Sequence, residues 1–259
     1  MDKDLSTLPL VLLHGFAEDS SLWDRQKEYL KDKLRLIIPD LPGSGSSPLA
    51  DDSDTGGTTD TSMEGLAAAV KARLDAENIQ QCIMVGHSMG GYVTLAFAER
   101  YPDRLKAIGL FHSTSYADTE EKKSARRKGI EFIQKNGAAP FIRQSTPNLF
   151  SERSRQDHPE WVTELTQRYS NFDPNALVRY YEAMIRRPDR SHVLQNFKGP
   201  VLFIIGAGDN AVPLASSLQQ CHLPSIAHIH ILKDAGHMGM IEDSDRAAHI
   251  LDNFTKDHL

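Results

Sequence analysis

The sequence predicts an α/β fold: a doubly wound, mainly parallel sheet of about six strands, with a helical cap inserted after the fourth strand. Three observations carry this. Six short apolar runs bounded by turn residues recur along the 259 residues. The first five are nearly continuous rather than alternating, the pattern of strands buried on both faces of a parallel sheet. Helix-like stretches fall between strands, and strand–helix alternation implies right-handed crossovers.

The runs are Pro9–Leu13, Leu34–Ile38, Cys82–Val85, Leu105–Phe111, Val201–Ile205 and Ile226–Leu232. The last alternates polar and apolar residues, which places it at a sheet edge with His228 and His230 on the wetter face. Ser62 caps a helix over 63–77, with Glu64 in its first turn. A helix over 89–100 follows the third run directly, and Tyr101-Pro102 ends it. Helices over 214–222 and 244–257 complete the frame. Residues 113–198 contain no strand-like run but hold amphipathic stretches near 119–136, 158–170 and 173–187. They form the expected cap, and 1–112 with 199–259 form the core. The polar, Gly-containing stretch 48–61 reads as a surface loop.

Composition excludes several classes. With 40% hydrophobic and 25% charged residues the chain is an ordinary globular one. No run approaches the roughly 18 apolar residues of a membrane span. A net charge of -6 without a basic cluster argues against nucleic acid as the main partner. Cys82 and Cys221 form no Cys-x-x-Cys pair, so zinc-ribbon and dithiol redox chemistry are out. Residues 1–7 have no apolar signal core, which makes the cytoplasm the expected compartment. Nothing in the sequence sets an oligomeric state.

The strongest chemical signal is Gly86-His87-Ser88-Met89-Gly90, a G-x-S-x-G between a strand and a helix. A nucleophile exposed at so sharp a turn adopts strained backbone angles, and side chains two residues before and after would collide. The serine then sits at a helix N-terminus, where backbone N–H groups can stabilise an anion. A serine hydroxyl needs a base, and the base needs an orienting carboxylate. Asp209 follows the fifth run and His237 the sixth, both just past strand carboxyl ends on the side of Ser88. The order Ser88, Asp209, His237 is that of the α/β-hydrolases. Asp118, after the fourth run, and Asp234, near His237, remain alternative acids.

Over nearly its whole length the chain resembles the α/β-hydrolase-fold enzymes. The matching segments are Leu12–Phe16, Pro39–Gly45, Gly86–Gly91, Ile185–Asp189, Pro200–Pro213 and Gly236-His237. Among them it is most similar to small cap-bearing enol-lactonase, menaquinone-pathway and aminoacrylate-type hydrolases. The family often has an antiparallel hairpin before the His-Gly strand, whereas only about eight residues precede it here, hence the reduced sheet. The resemblance of His14-Gly15-Phe16 to the family's oxyanion loop implies that the Phe16 and Met89 amides bind the oxyanion. His14 and His87 read as structural braces, as do Asp40 and Gly43–Gly45. His228 and His230 read as an edge-strand polar face rather than metal ligands.

The implied activity is hydrolysis of a small to medium carboxylic ester, lactone or related acyl compound through an acyl-enzyme. It needs water and no cofactor or metal. The same triad serves C–C hydrolysis, lyase or peracid chemistry elsewhere in the fold, and some relatives are slow-turnover receptors or regulators. Trp161, Phe141, Tyr180, Met184 and Met238 are the expected substrate contacts. Residues 113–198 carry 15 Lys and Arg against 11 Asp and Glu, a net +4, leaving -10 on the remainder. An inward-facing arginine among Arg126, Arg127, Arg143, Arg179, Arg186 and Arg187 would favour an anionic substrate, whereas solvated helix faces would not.

Overall fold

Apolar residues at successive positions leave a strand no face for water, and here such strands are paired inside one sheet. A computed structural model describes residues 8–49 and 59–259. The chain runs β1 (Leu10–Leu13), α1 (Asp24–Leu30), β2 (Leu36–Ile37), α2 (Met63–Ala76), β3 (Cys82–His87), α3 (Met89–Arg100) and β4 (Leu105–Phe111). Six helices follow: α4 (Glu120–Asn136), α5 (Ala138–Ser145), α6 (Glu152–Asp157), α7 (Pro159–Tyr169), α8 (Pro174–Arg186) and α9 (Ser191–Asn196). Then come β5 (Val201–Gly206), α10 (Leu214–Gln220), β6 (Ala227–Leu232), α11 (Gly239–Glu242) and α12 (Ser244–Lys256). Residues 50–58, most of the expected surface loop, lie outside the described residues. So do residues 1–7, on which the expected compartment rests. No described helix is long and apolar enough to cross a membrane.

The strand order is β2-β1-β3-β4-β5-β6, and every neighbouring pair is parallel. Alternate residues feed two cores. Val11, Leu13 and Met84 pack with α2 and α3 on one face. Leu10, Leu12, Ile83 and Val85 pack with α1 and α12 on the other. Burial on both faces is why these runs do not alternate. After β1 the chain winds one way to β2, and from β3 onward the other way. The carboxyl ends of β1 and β3 therefore flank the switch point, where α/β sheets open a crevice for ligands.

The edge strand corrects one expectation. β6 does lie at the edge, but its histidines are on the covered face. His228 packs against Phe254 and His258, with ring centroids 5.3 and 5.2 Å away. Since α12 covers the face of His228 and Leu232, period-two alternation leaves Ile229 on the other, 45% exposed. The segment between β4 and β5 is all helical among its regular elements and is tied to the sheet layers. The Arg190 guanidinium pairs with Glu99 (3.0 Å) and Glu64, and the Tyr180 hydroxyl donates to the Pro42 carbonyl (2.7 Å).

Two register partners on one face, Phe203 of β5 and Ile229 of the edge strand, predict different responses to truncation. Phe203, buried between β4 and β6, costs about 3–5 kcal/mol when changed to Ala. Ile229→Thr changes stability by no more than about 0.5 kcal/mol. Urea denaturation of the two variants is the check, and a large loss at Ile229 would contradict the observed register.

Candidate active site

Ser88 joins β3 to α3 with φ 50° and ψ -114°, a left-handed conformation rare outside glycine. The turn closes because its flanks are glycines. A Cβ on Gly86 would lie 2.1 Å from the Gly90 backbone, and one on Gly90 would lie 2.6 Å from the Leu13 and His14 carbonyls. The Ser88 amide donates to the Phe111 carbonyl (2.9 Å), and the Ser113 hydroxyl donates to the Ser88 carbonyl (2.7 Å). Met89 opens α3, so its amide is one of the helix's N-terminal donors without an intrahelical acceptor.

Asp209, after β5, and His237, after β6, meet across the sheet end. His237 Nδ1 lies 2.8 Å from Asp209 Oδ2 and donates to it. Asp209 Oδ1 accepts from the Ala211 (2.8 Å) and Val212 (2.9 Å) amides. Burial alone would raise the carboxyl's pKa. The His237 and His112 rings and the Val212 amide outweigh it and hold the group at about 2. Burial likewise opposes a charge on His237, but the Asp209 carboxylate raises its pKa above the ordinary histidine value. Asp234 is a surface residue, 71% exposed and paired with Arg153. Asp118 is buried with its oxygens spent on Arg126 (2.6 Å) and Arg187 (2.9 Å).

Two further groups brace this end of the sheet, and sequence reasoning did not single them out. His112, just past β4 at φ 49°, lies 3.5 Å from Asp209 Oδ2 and accepts from the Gly206 amide (3.0 Å). Burial keeps its pKa well below the usual value, so it packs as a neutral ring. Glu18 lies in the loop after β1 and accepts from the Gly15 amide (2.6 Å) and His87 Nδ1 (2.9 Å). His87 Nε2 donates to the His237 carbonyl (3.0 Å). Both ring nitrogens of His87 thus lie against oxygens of neighbouring segments. One buried pair thereby joins the β1 loop, the serine turn and the His237 backbone. Glu18 is 69 residues from His87, and only a position in the loop after the His-Gly strand marks it in the sequence. His14 braces its own loop: Nδ1 donates to the Gly15 carbonyl (2.9 Å), and Nε2 accepts from the Leu41 amide (3.0 Å).

Ser88 and His237 line one cavity of about 170 Å³, roofed by the helical segment. Phe16 lines it too, its ring stacked on Tyr181 at 4.2 Å. Among the expected substrate contacts, Phe141 and Met184 are in the wall. The other three lie elsewhere. Trp161 stacks on His158 at 4.0 Å and borders a separate small crevice with Arg25. Met238 is fully buried in the core. Tyr180 is turned into the core by its bond to Pro42, and its neighbour Tyr181 takes the wall position one turn from Met184. Adjacent helix residues point about 100° apart, so one register step separates wall from core.

The alpha/beta hydrolase fold family model matches residues 9–244. A 2-hydroxy-6-oxononadienedioate/2-hydroxy-6-oxononatrienedioate hydrolase of Paraburkholderia phymatum is 28% identical over 269 residues, covering 95% of this chain and 86% of its own. The 3-oxoadipate enol-lactonase 2 of Acinetobacter baylyi is 24% identical, covering 95% and 88%. A malate-bound structure of a thermophilic esterase from Thermogutta terrifontis superposes with a TM-score of 0.89 at 28% identity, over 97% of this chain and 91% of that one. The sheet, the serine turn and the match over nearly the whole chain agree: this protein belongs to the alpha/beta hydrolase fold family.

Proposed function

We propose that this chain hydrolyses a small to medium carboxylic ester or lactone through an acyl-enzyme on Ser88. The observation that carries the reading is one cavity lined by both Ser88, at its strained turn, and His237, whose Nδ1 is fixed by Asp209. Ser88 Oγ attacks the carbonyl carbon while its proton passes to His237 Nε2. Asp209 keeps the imidazole in the donating-Nδ1 tautomer and stabilises its charged form. The amides of Phe16 and Met89 receive the oxyanion, a role worth about 10²–10³ in rate for a single donor elsewhere. Collapse expels the alcohol, which takes the proton from His237. In a lactone that alcohol stays tethered to the acyl group. Water then attacks the acyl carbonyl as His237 takes its proton, and Ser88 leaves reprotonated. In this reading helices α4–α9 act as a cap over the core, with Phe141 and Met184 touching the acyl or alcohol chain.

Hydrolysis of p-nitrophenyl butyrate tests the assignment. Ser88→Ala removes turnover down to the residual acceleration that binding and oxyanion donors give, about 10³–10⁴ over water in serine proteases. Asp209→Asn lowers kcat on the order of 10⁴, whereas Asp234→Asn costs less than about tenfold. Greater damage at Asp234 would redraw the triad.

The reaction also has a predicted pH dependence. His237 accepts a proton only when neutral, so kcat/KM rises with pH through its pKa. That pKa is raised, so the midpoint sits above the ordinary value of 6.5. Asp209→Asn removes the charge that raises it and lowers the midpoint of the remaining activity. A wild-type midpoint below 6.5 would contradict the buried Asp209–His237 pairing.

A further inference from the structure

We infer that the substrate carries a carboxylate away from its reacting carbonyl, and that Arg126 of α4 binds it. The inference deepens the hydrolase reading and rests on Ser88 being the nucleophile. Arg126 lines the same cavity as Ser88, and the charged side chains in that lining are Glu18, Arg126 and His237. Glu18 is already spent on the Gly15 amide and His87. His237 is held by Asp209. The acidic charges beside the serine are therefore matched locally.

The opposite wall is not balanced in this way. Asp118 serves two guanidiniums at once, Arg126 at 2.6 Å and Arg187 at 2.9 Å. One carboxylate against two cations leaves an excess positive charge in a largely buried cluster, and such a charge is costly without a counterion. Arg187 is saturated: it also donates to the Met184 (2.9 Å) and Tyr116 (2.9 Å) carbonyls and sits over the Tyr92 ring, its Cζ 3.8 Å from the centroid. Arg126 instead turns Nε and Nη2 toward Asp118, at 2.6 and 3.4 Å, which leaves Nη1 as its remaining fork for a ligand in the cavity.

The wall between the two poles suits a short carbon chain. The Arg126 guanidinium lies 5.4 Å from the Tyr181 ring, and Tyr181 stacks on Phe16 of the β1 loop. Phe141 packs edge-on against both rings, at 5.7 and 6.1 Å. An acyl carbonyl at Ser88 and a carboxylate at Arg126 would thus be joined along an aromatic wall. A half-ester or a lactone of a dicarboxylic acid has this form.

The test compares mono-p-nitrophenyl adipate with methyl p-nitrophenyl adipate, which carry a carboxylate and a neutral methyl ester at the far end. The wild type prefers the acid by about tenfold or more in kcat/KM. Arg126→Gln abolishes that preference, Arg126→Lys restores part of it, and Arg127→Gln on the exposed side of α4 leaves it unchanged. Adipate competes with the neutral ester at a concentration about tenfold or more below that of adipamide, a measurement that needs only the wild type. Equal kcat/KM for the two esters, equal inhibition by adipate and adipamide, or a preference that survives in folded Arg126→Gln would overturn the carboxylate site while leaving the hydrolase reading intact. Turnover of neither ester overturns both.

Discussion

The close crossing of α3 over the ends of β1 and β3 is the constraint on which the rest of this molecule depends. Gly90 lies against the carbonyls of Leu13 and His14, and Gly86 against the Gly90 backbone, so a methyl group at either would force the helix away. That approach holds Ser88 in a conformation costing of order 1–3 kcal/mol, and the surrounding structure must over-determine it. It does so through a backbone bond to β4 and a hydroxyl from Ser113. Ala17 and His112, two of the other described non-glycine residues at positive φ, lie in the same region. Strain is thus concentrated where the sheet's carboxyl ends meet the cavity.

Buried charge follows the same geography. Three carboxylates lie buried near the cavity, and each is met by hydrogen-bond donors: Asp209 by His237 and two amides, Glu18 by His87 and the Gly15 amide, and Asp118 by two arginines. The first two pairs join loops from β1, β3, β5 and β6, so the site is assembled only when the whole sheet is ordered. Removing one partner of such a pair leaves an uncompensated charge, which is why buried pairs constrain geometry more than they stabilise. The third cluster is asymmetric, and its asymmetry faces the cavity rather than a loop.

The strands and the serine turn were legible because their signals are local. Continuous apolar runs and two glycines at fixed spacing report physics acting within a few residues. Of the helices of four to eight residues only α10 is read in the sequence; α1, α5, α6, α9 and α11 are too short for a 3.6 period to stand out. The same limit governs the site. Position after a strand end was enough to single out Asp209 and His237, which the structure brings within 2.8 Å of each other. The roles of Glu18 and His112 arise from partners tens of residues away, and no spacing rule connects them. Tyr180 and Tyr181 differ by a single step of helix register, which depends on where α8 docks against Pro42. The face of β6 likewise depended on which side α12 would cover, so the alternation was readable but its direction was not.

The most direct test of the account is to trap the intermediate. The protein is mixed with excess p-nitrophenyl acetate, quenched in acid within the first turnover, and its peptides are weighed by mass spectrometry. The account predicts a single acetyl group, on the peptide that carries Ser88. A nitrophenolate burst with the acetyl group on any other residue would contradict it.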